Sequence, residues 1–238
     1  MKTLIVFAHN EPHSFNAAMK DLGLRTLKDL GHEVMVSDLY AMKFKAVADA
    51  DDFTARAHPN YLVYALEQRH GYSSKTLAPD ILAEVEKVLW ADLIIFNFPI
   101  YWFSVPAILK GWFDRIFLSG PIYGGMRFYD QGGLKGKSAL IAASLGGRPH
   151  MFGPNSIHGE IELMLRPILR GTLAYVGLRV LPPFLAYHVP YVTPEERELY
   201  LIRYRDHLKN IENLKPLIFP SLDEFDERLF PKKKGERI

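Results

Sequence analysis

Five short runs carry apolar residues at nearly every position: Lys2 to Ala8, Glu33 to Ser37, Leu93 to Phe98, Lys137 to Ser144 and Arg179 to Leu181. Such runs read as strands buried on both faces. Between them the apolar residues recur at helical spacing: Phe15, Met19, Leu22, Leu27 and Leu30 before Gly31, then Ile81, Val85 and Val88 after Pro79. Further on come Ile108, Leu109, Trp112, Phe113, Ile116 and Phe117, then Leu163 to Tyr175 with Pro167 inside it as a kink or break. A last helix opens on the capping box Thr193-Pro194-Glu195-Glu196 and runs through Leu199, Ile202 and Leu208. Strands alternating with helices predict an α/β fold, a doubly wound five-stranded parallel sheet.

The stretch from Asp92 to Phe117 organises the rest. A strand leads into the loop Pro99-Ile100-Tyr101-Trp102-Phe103-Ser104 and then a helix, with Ser104 as its expected N-cap and Pro106 in its first turn. Ligands of open parallel sheets bind beyond the carboxyl ends of the strands, so the three aromatics there fit a flat apolar wall as well as ordinary core. The helix has a wider apolar face than a surface helix needs, which predicts a subunit interface or a fully buried helix. Residues 45 to 77 are weakly periodic and polar, an insertion too long for an ordinary connection. The glycine-rich stretch from Ser119 to Gly133 reads as turns, and Lys215 to Ile238 as an extended tail over a neighbour.

The chain has 238 residues, 48% of them hydrophobic, which is enough for one full core. Its 29 basic and 27 acidic residues leave a net charge of +2, no signature for nucleic acid, and the run Lys232 to Lys234 reads as a solvated end. The absence of cysteine excludes disulfides, thiolate catalysis, iron–sulfur clusters and Cys-type zinc sites. No apolar run has the length of a membrane span, and residues 1 to 8 are a strand rather than a signal peptide, so a soluble, cytoplasmic protein is expected.

Candidate chemistry lies where strands end. His9-Asn10-Glu11-Pro12-His13-Ser14-Phe15-Asn16 joins the first strand to a helix N-terminus, a natural phosphate site, with Ser14 as a plain N-cap the alternative. There is no GxGxxG, so the flavodoxin-like strand order is favoured over a dinucleotide-binding Rossmann unit. Leu145-Gly146-Gly147 follows the fourth strand, where backbone must approach a ligand closely.

Asn97-Phe98-Pro99, Trp102-Phe103 and Val105-Pro106-Ala107-Ile108-Leu109-Lys110-Gly111-Trp112-Phe113 with Arg115 closely resemble the flavin loop and following helix of the NAD(P)H:quinone oxidoreductase family. Asp38 to Phe44 resembles another stretch of that family, and the likeness covers about residues 2 to 215. It implies that His9, Ser14, Phe15 and Asn16 hold the phosphates of a flavin. Pro99, Ile100, Tyr101, Trp102 and Phe103 would hold its ring, with Ser144, Leu145, Gly146 and Gly147 lining it. Arg197 would contact the adenine end of FAD, FMN being the less expected cofactor; a solvated arginine is the alternative. The resemblance also implies that His158 stabilises charge during hydride transfer, against the simpler reading of a surface histidine. Phe152 stands where the family has a catalytic tyrosine. Tyr123 would cap the partner subunit's substrate pocket, and Gly125 replaces a second tyrosine there. The implied protein is a homodimer with active sites at its interface, passing hydride from NADPH or NADH through FAD to a quinone in a ping-pong cycle. A regulatory ancillary subunit of a potassium-efflux system and a flavodoxin-type electron carrier are the alternatives. Residues 1–215 would form the flavin-binding domain, with 216–238 a tail.

Overall fold

The structure, a computed structural model, describes residues 1–232, so most of the basic run at Lys232 to Lys234 lies outside the described residues. Its strands β1 (Lys2–Phe7), β2 (Glu33–Asp38), β3 (Leu93–Pro99), β4 (Ser138–Ser144), β5 (Arg179–Val180) and β6 (Phe184–Ala186) are all parallel. The order is β2-β1-β3-β4-β5, and β6 also pairs with β4, directly beyond β5. Pro182 and Pro183 explain the split: neither has an N–H for the ladder, so the fifth strand stops and resumes three residues later.

Alternate residues of the strands feed two cores. Leu4, Val6, Ile94, Phe96, Phe98 and Ile141 pack against α3 (Pro79–Trp90) and α4 (Ala107–Ile116), which follow α2 (Tyr64–Ser74). Ile5, Ile95 and Leu140 face α1 (Phe15–Asp29) and α7 (Pro194–Lys209) through Met19, Leu27, Tyr204 and Leu208. The expected helix over 163–175 is divided as α5 (Ile161–Met164), α6 (Arg166–Ile168) and a π-helical stretch Leu169–Ala174; the break falls at Leu165, which leaves Pro167 in the first turn of α6, where its missing N–H costs nothing.

Two expectations about α4 change. Ser104 does not cap it; Pro106 holds the N-cap position with no side-chain bond, because Val105, restricted by the proline after it, cannot be helical. The wide apolar face is used within the chain, since Leu109, Trp112, Phe113, Ile116 and Phe117 are all buried, so it marks a buried helix and gives no support for an interface.

The insertion is tied to this helix by charge. Asp52, with no exposed surface, accepts bonds from Arg115 Nε (3.1 Å) and Nη2 (2.9 Å) and from the Tyr64 hydroxyl (2.6 Å). Arg115, 1% exposed, also reaches Asp80 and the Lys45 carbonyl. Asp38 to Phe44 forms a tight turn that buries Leu39 and Phe44, and the Phe44 ring lies 4.9 Å beneath the Arg115 guanidinium. The tail docks on its own chain as far as Leu222: Leu217 N–H donates to the Val180 carbonyl, and Ser221 Oγ and Leu222 N–H to Asp130.

Burial alone would raise the Asp52 carboxyl, but the bonds from Arg115 and Tyr64 outweigh it and hold the group below the usual carboxylate range. A depressed folded pKa stabilises above the unfolded value of about 3.9, and that contribution is lost as pH falls through the folded one. Asp52→Asn is expected to lose about 3 kcal/mol at pH 7, the lower end for breaking a buried pair because Arg115 keeps Asp80. Urea unfolding at pH 7 and below pH 4 checks this: the wild type should fall more steeply with acid than the variant.

Candidate active site

The carboxyl ends of β1, β3, β4 and β6 lie along one edge, with Pro99 level with Ser144 and Ser144 level with Ala186. The loops leaving that edge enclose a cavity of about 690 Å³, within the usual range for ligand sites. His9, Ser14, Phe15, Asn16, Pro99, Ile100, Tyr101, Ser144, Leu145, Gly146 and Arg197 all line it.

The N-terminus of α1 forms its floor. Ser14 does cap the helix, its Oγ accepting from the Ala17 N–H at 3.1 Å, which leaves the Phe15 and Asn16 amides without intrahelical partners. The Asn16 side chain is buried and fully engaged: Nδ2 donates to Asn97 Oδ1 (3.0 Å), Oδ1 accepts from Ser144 Oγ (2.5 Å), and Asn97 Nδ2 returns a bond to the Asn16 carbonyl (3.1 Å). Asn16 and Ser144 therefore position the loops rather than offer side chains to a ligand. Asn97 belongs to the same unit and was not singled out from sequence for this role. The signal was present, a lone amide in an apolar buried strand, because such a group must find partners.

His9 Nδ1 accepts from the Glu11 N–H at 2.9 Å, which leaves the opposite nitrogen of a neutral ring as a donor. Burial lowers its pKa, partly offset by Glu11. Arg197, on the first turn of α7, anchors through Nη2 on the Val192 carbonyl (2.8 Å), while its buried Nε has no partner among the described residues.

At Tyr101 to Ser104 the chain makes a two-residue turn, each of those residues donating its N–H to the other's carbonyl (3.1 and 2.9 Å). Trp102 and Phe103 hold φ of 52° and 56°, a type I′ geometry that glycine and asparagine normally occupy. Two bulky residues there store on the order of 1 kcal/mol each, a strain typical of functional sites. Trp102 is 95% exposed and does not line the cavity. Phe103 instead packs on His158 (5.3 Å between ring centroids), and His158 on Phe152 (5.1 Å). Phe152 lies directly over Gly147, where a methyl group would come within 2.8 Å of the ring.

Tyr123 is not brought to this cluster. It packs on Tyr175, away from the cavity of its own chain, and a Cβ at Gly125 would meet nothing within 4 Å. Phosphate-ready amides, a partnerless arginine nitrogen and open space above Gly146 together fit an elongated phosphate-bearing cofactor with a flat ring.

Residues 1–208 match the family model described as a flavodoxin-like fold. NAD(P)H dehydrogenase [quinone] 1 of Cavia porcellus is 42% identical over 226 residues, 94% of this chain and 82% of that protein. Ribosyldihydronicotinamide dehydrogenase [quinone] of Mus musculus is 42% identical over 217 residues, 91% of this chain and 94% of that one. The chain belongs to the flavodoxin-like NAD(P)H:quinone dehydrogenase family. Among solved structures, a "putative quinone reductase" from Klebsiella pneumoniae superposes with a TM-score of 0.93 at 36% identity, covering 98% of this chain and 95% of that one.

For a member of this family the two loop glycines differ in what constrains them. A Cβ at Gly146 meets no protein atom within 4 Å and its φ is ordinary, so its own fold does not require glycine there. Gly146→Ala should melt within about 0.5 kcal/mol of the wild type as apoprotein but retain cofactor poorly. Gly147→Ala should displace Phe152 and destabilise the apoprotein by about 1–3 kcal/mol. Thermal melts with and without bound cofactor separate the two effects.

Proposed function

We propose that the protein is a flavin-dependent quinone reductase that binds FAD and takes NADPH or NADH as donor. The observation that carries this reading is continuity: one cavity runs from the free amides of α1 to Arg197, with the Phe103, His158 and Phe152 rings gathered beside the loops that line it. A flavin held there would supply the two-electron chemistry that links a nicotinamide donor to a quinone in a ping-pong cycle.

The chain supplies the rest. Phe15 and Asn16 amides at the positive end of α1, with the His9 N–H, bind phosphate. Tyr101, Pro99 and Ile100 give an apolar wall, and Leu145 and Gly146 let backbone approach the ring closely, whereas Gly147, expected to do the same, lies under Phe152 and outside the cavity lining. Past α1 the cavity continues to Val189, Pro194, Arg197 and Leu201, room that FMN would leave empty, which favours FAD. His158, held between two aromatic rings, donates an imidazole N–H to negative charge growing beside it. Phe152 cannot share that task.

The working unit on this reading is a homodimer with active sites at its interface. Tyr123 cannot cap the cavity of its own chain, and Trp102 and Ile157, 95% and 83% exposed, lie next in sequence to the Phe103–His158 contact that a second copy would cover. Residues 1–215 serve as the flavin-binding domain and 216–238 as its tail. No helix of the described residues is long and apolar enough to cross a membrane, and we place the protein in the cytoplasm, with its supply of reduced nicotinamides.

The test begins with colour. The purified protein should be yellow and release FAD on heating; a colourless preparation that neither FAD nor FMN reconstitutes defeats the reading. His158→Ala should then slow flavin reduction by about 10²-fold in stopped flow with cofactor content intact. Phe152→Tyr should be neutral or faster, and more so when His158 is present, because groups acting together are not additive. Reduction of His158→Ala at the wild-type rate would make the histidine structural.

A further inference from the structure

The loops that wall the cavity, residues 144–150 and 187–197, also enclose a second hollow of about 460 Å³. Its character comes from Arg148, His188 and Tyr191. His188 Nδ1 lies 2.9 Å from the Gly146 carbonyl, which can only accept, so the ring proton sits on Nδ1. The other nitrogen, Nε2, then accepts from Arg148 Nε at 3.3 Å. His188 is itself fixed in the left-handed region (φ 58°) with its N–H on the Gly147 carbonyl at 2.9 Å. The guanidinium is thus aimed through one nitrogen while its two Nη groups have no acceptor among the described residues, and Arg148 joins no ion pair there. Glu196, the one carboxylate lining the hollow, is committed to capping α7: its Oε2 accepts the Thr193 N–H at 2.8 Å.

A solvated arginine needs no such support. Here a residue held in the left-handed region, anchored on the carbonyls of Gly146, which lines the cavity, and of Gly147 beside it, orients an exposed cation. The hollow also adjoins the reaction centre: Tyr187 lines it and packs on Phe152 (5.6 Å), which packs on His158 (5.1 Å). A dihydronicotinamide whose ring lies by His158 would therefore extend toward Arg148. Resting on the functional reading above, we infer that Arg148 binds a phosphate of the hydride donor, and that it makes this chain prefer phosphate-bearing donors to the phosphate-free dihydronicotinamide riboside. His188 is the positioning residue for it. The two relatives described above carry names for both donor classes, and this feature assigns the chain to the first.

The test uses flavin-loaded wild type, Arg148→Gln and Arg148→Lys. Flavin reduction by NADPH, NADH and dihydronicotinamide riboside is followed in stopped flow, and NADP⁺ binding to the oxidised proteins by calorimetry. Arg148→Gln should weaken NADP⁺ binding, and raise the half-saturating concentration of the phosphate-bearing donors, by about 10- to 100-fold, the range of a charge-assisted hydrogen bond. The riboside sets the baseline and should shift by less than about twofold. Lysine should restore part of the loss, being a charge without the fork. Equal losses for all three donors, or no loss for any, overturn the assignment. So does a wild type reduced by the riboside alone, an outcome that leaves the quinone reductase reading standing. A flavin-loaded wild type reduced by none of the three removes that reading, and the role of Arg148 with it.

Discussion

The Asn16–Asn97–Ser144 unit is the constraint on which the site depends. Parallel strands bring their ends to one edge, but nothing in a ladder fixes a helix N-terminus relative to the strands beneath it. Here two amides and a hydroxyl do so, joining α1 to β3 and β4 by three buried bonds. Buried polar groups stabilise only when fully paired, and a partly satisfied set costs about 1–3 kcal/mol for each orphan. The arrangement is therefore close to all-or-none. The free amides of Phe15 and Asn16 keep their place because the Asn16 side chain cannot turn into the cavity without abandoning Asn97 and Ser144.

Most of the fold was legible because its signal is apolar periodicity. β1, β3, β4 and the helices α1, α3 and α4 follow it, whereas β2, at the sheet edge, leaves Met35 exposed, and α7 is announced by its capping box while Leu199 and Ile202 stay exposed and Tyr204 and Leu208 carry its packing. What periodicity could not see is held by polar groups. The inner face of α2 carries Glu67, Gln68 and Gly71: Glu67 takes the Ala57 N–H, and Gln68 bonds the Asp114 carbonyl and the Ser119 N–H. A helix buried through amides and a carboxylate leaves no hydrophobic stripe. β6 escaped for a different reason, since three residues after two prolines fall below any pattern length.

Site residues divide along the same line. Backbone-dependent assignments, such as the α1 loop and Gly146, could be placed from strand ends alone. His158, Phe152 and Arg197 carried no local signal, and only resemblance singled them out: the first two meet through loops whose course the strands do not dictate, and Arg197 is one of several arginines on a polar helix. The Tyr101–Ser104 turn is the sharpest example. Sequence suggests an aromatic wall, yet the turn closes on Trp102 and Phe103 in the left-handed region and sends them away from Tyr101, which alone of the three faces the cavity. Propensity argues against that geometry, and tertiary context overrides it.

That override has a physical consequence for how the site is divided. The cofactor side of the edge is rigid: it is built from helix caps, buried amides and a glycine whose open space the protein itself does not fill. The other side is built from rings, Phe103 on His158 on Phe152 on Tyr187, whose side chains meet through aromatic contacts while the segment carrying Phe152 and His158 is tied to itself by the His158 N–H to Met151 carbonyl bond (3.0 Å). Aromatic contacts are each worth about 0.5–1.5 kcal/mol and tolerate small tilts, whereas the amide unit tolerates none. A flavin resident in the cavity with substrates exchanged beside it, as proposed above, would use that contrast. The strained turn sits on the boundary between the two, with Tyr101 on the rigid side and Phe103 on the compliant one, so movement of the rings need not disturb the floor of the cavity.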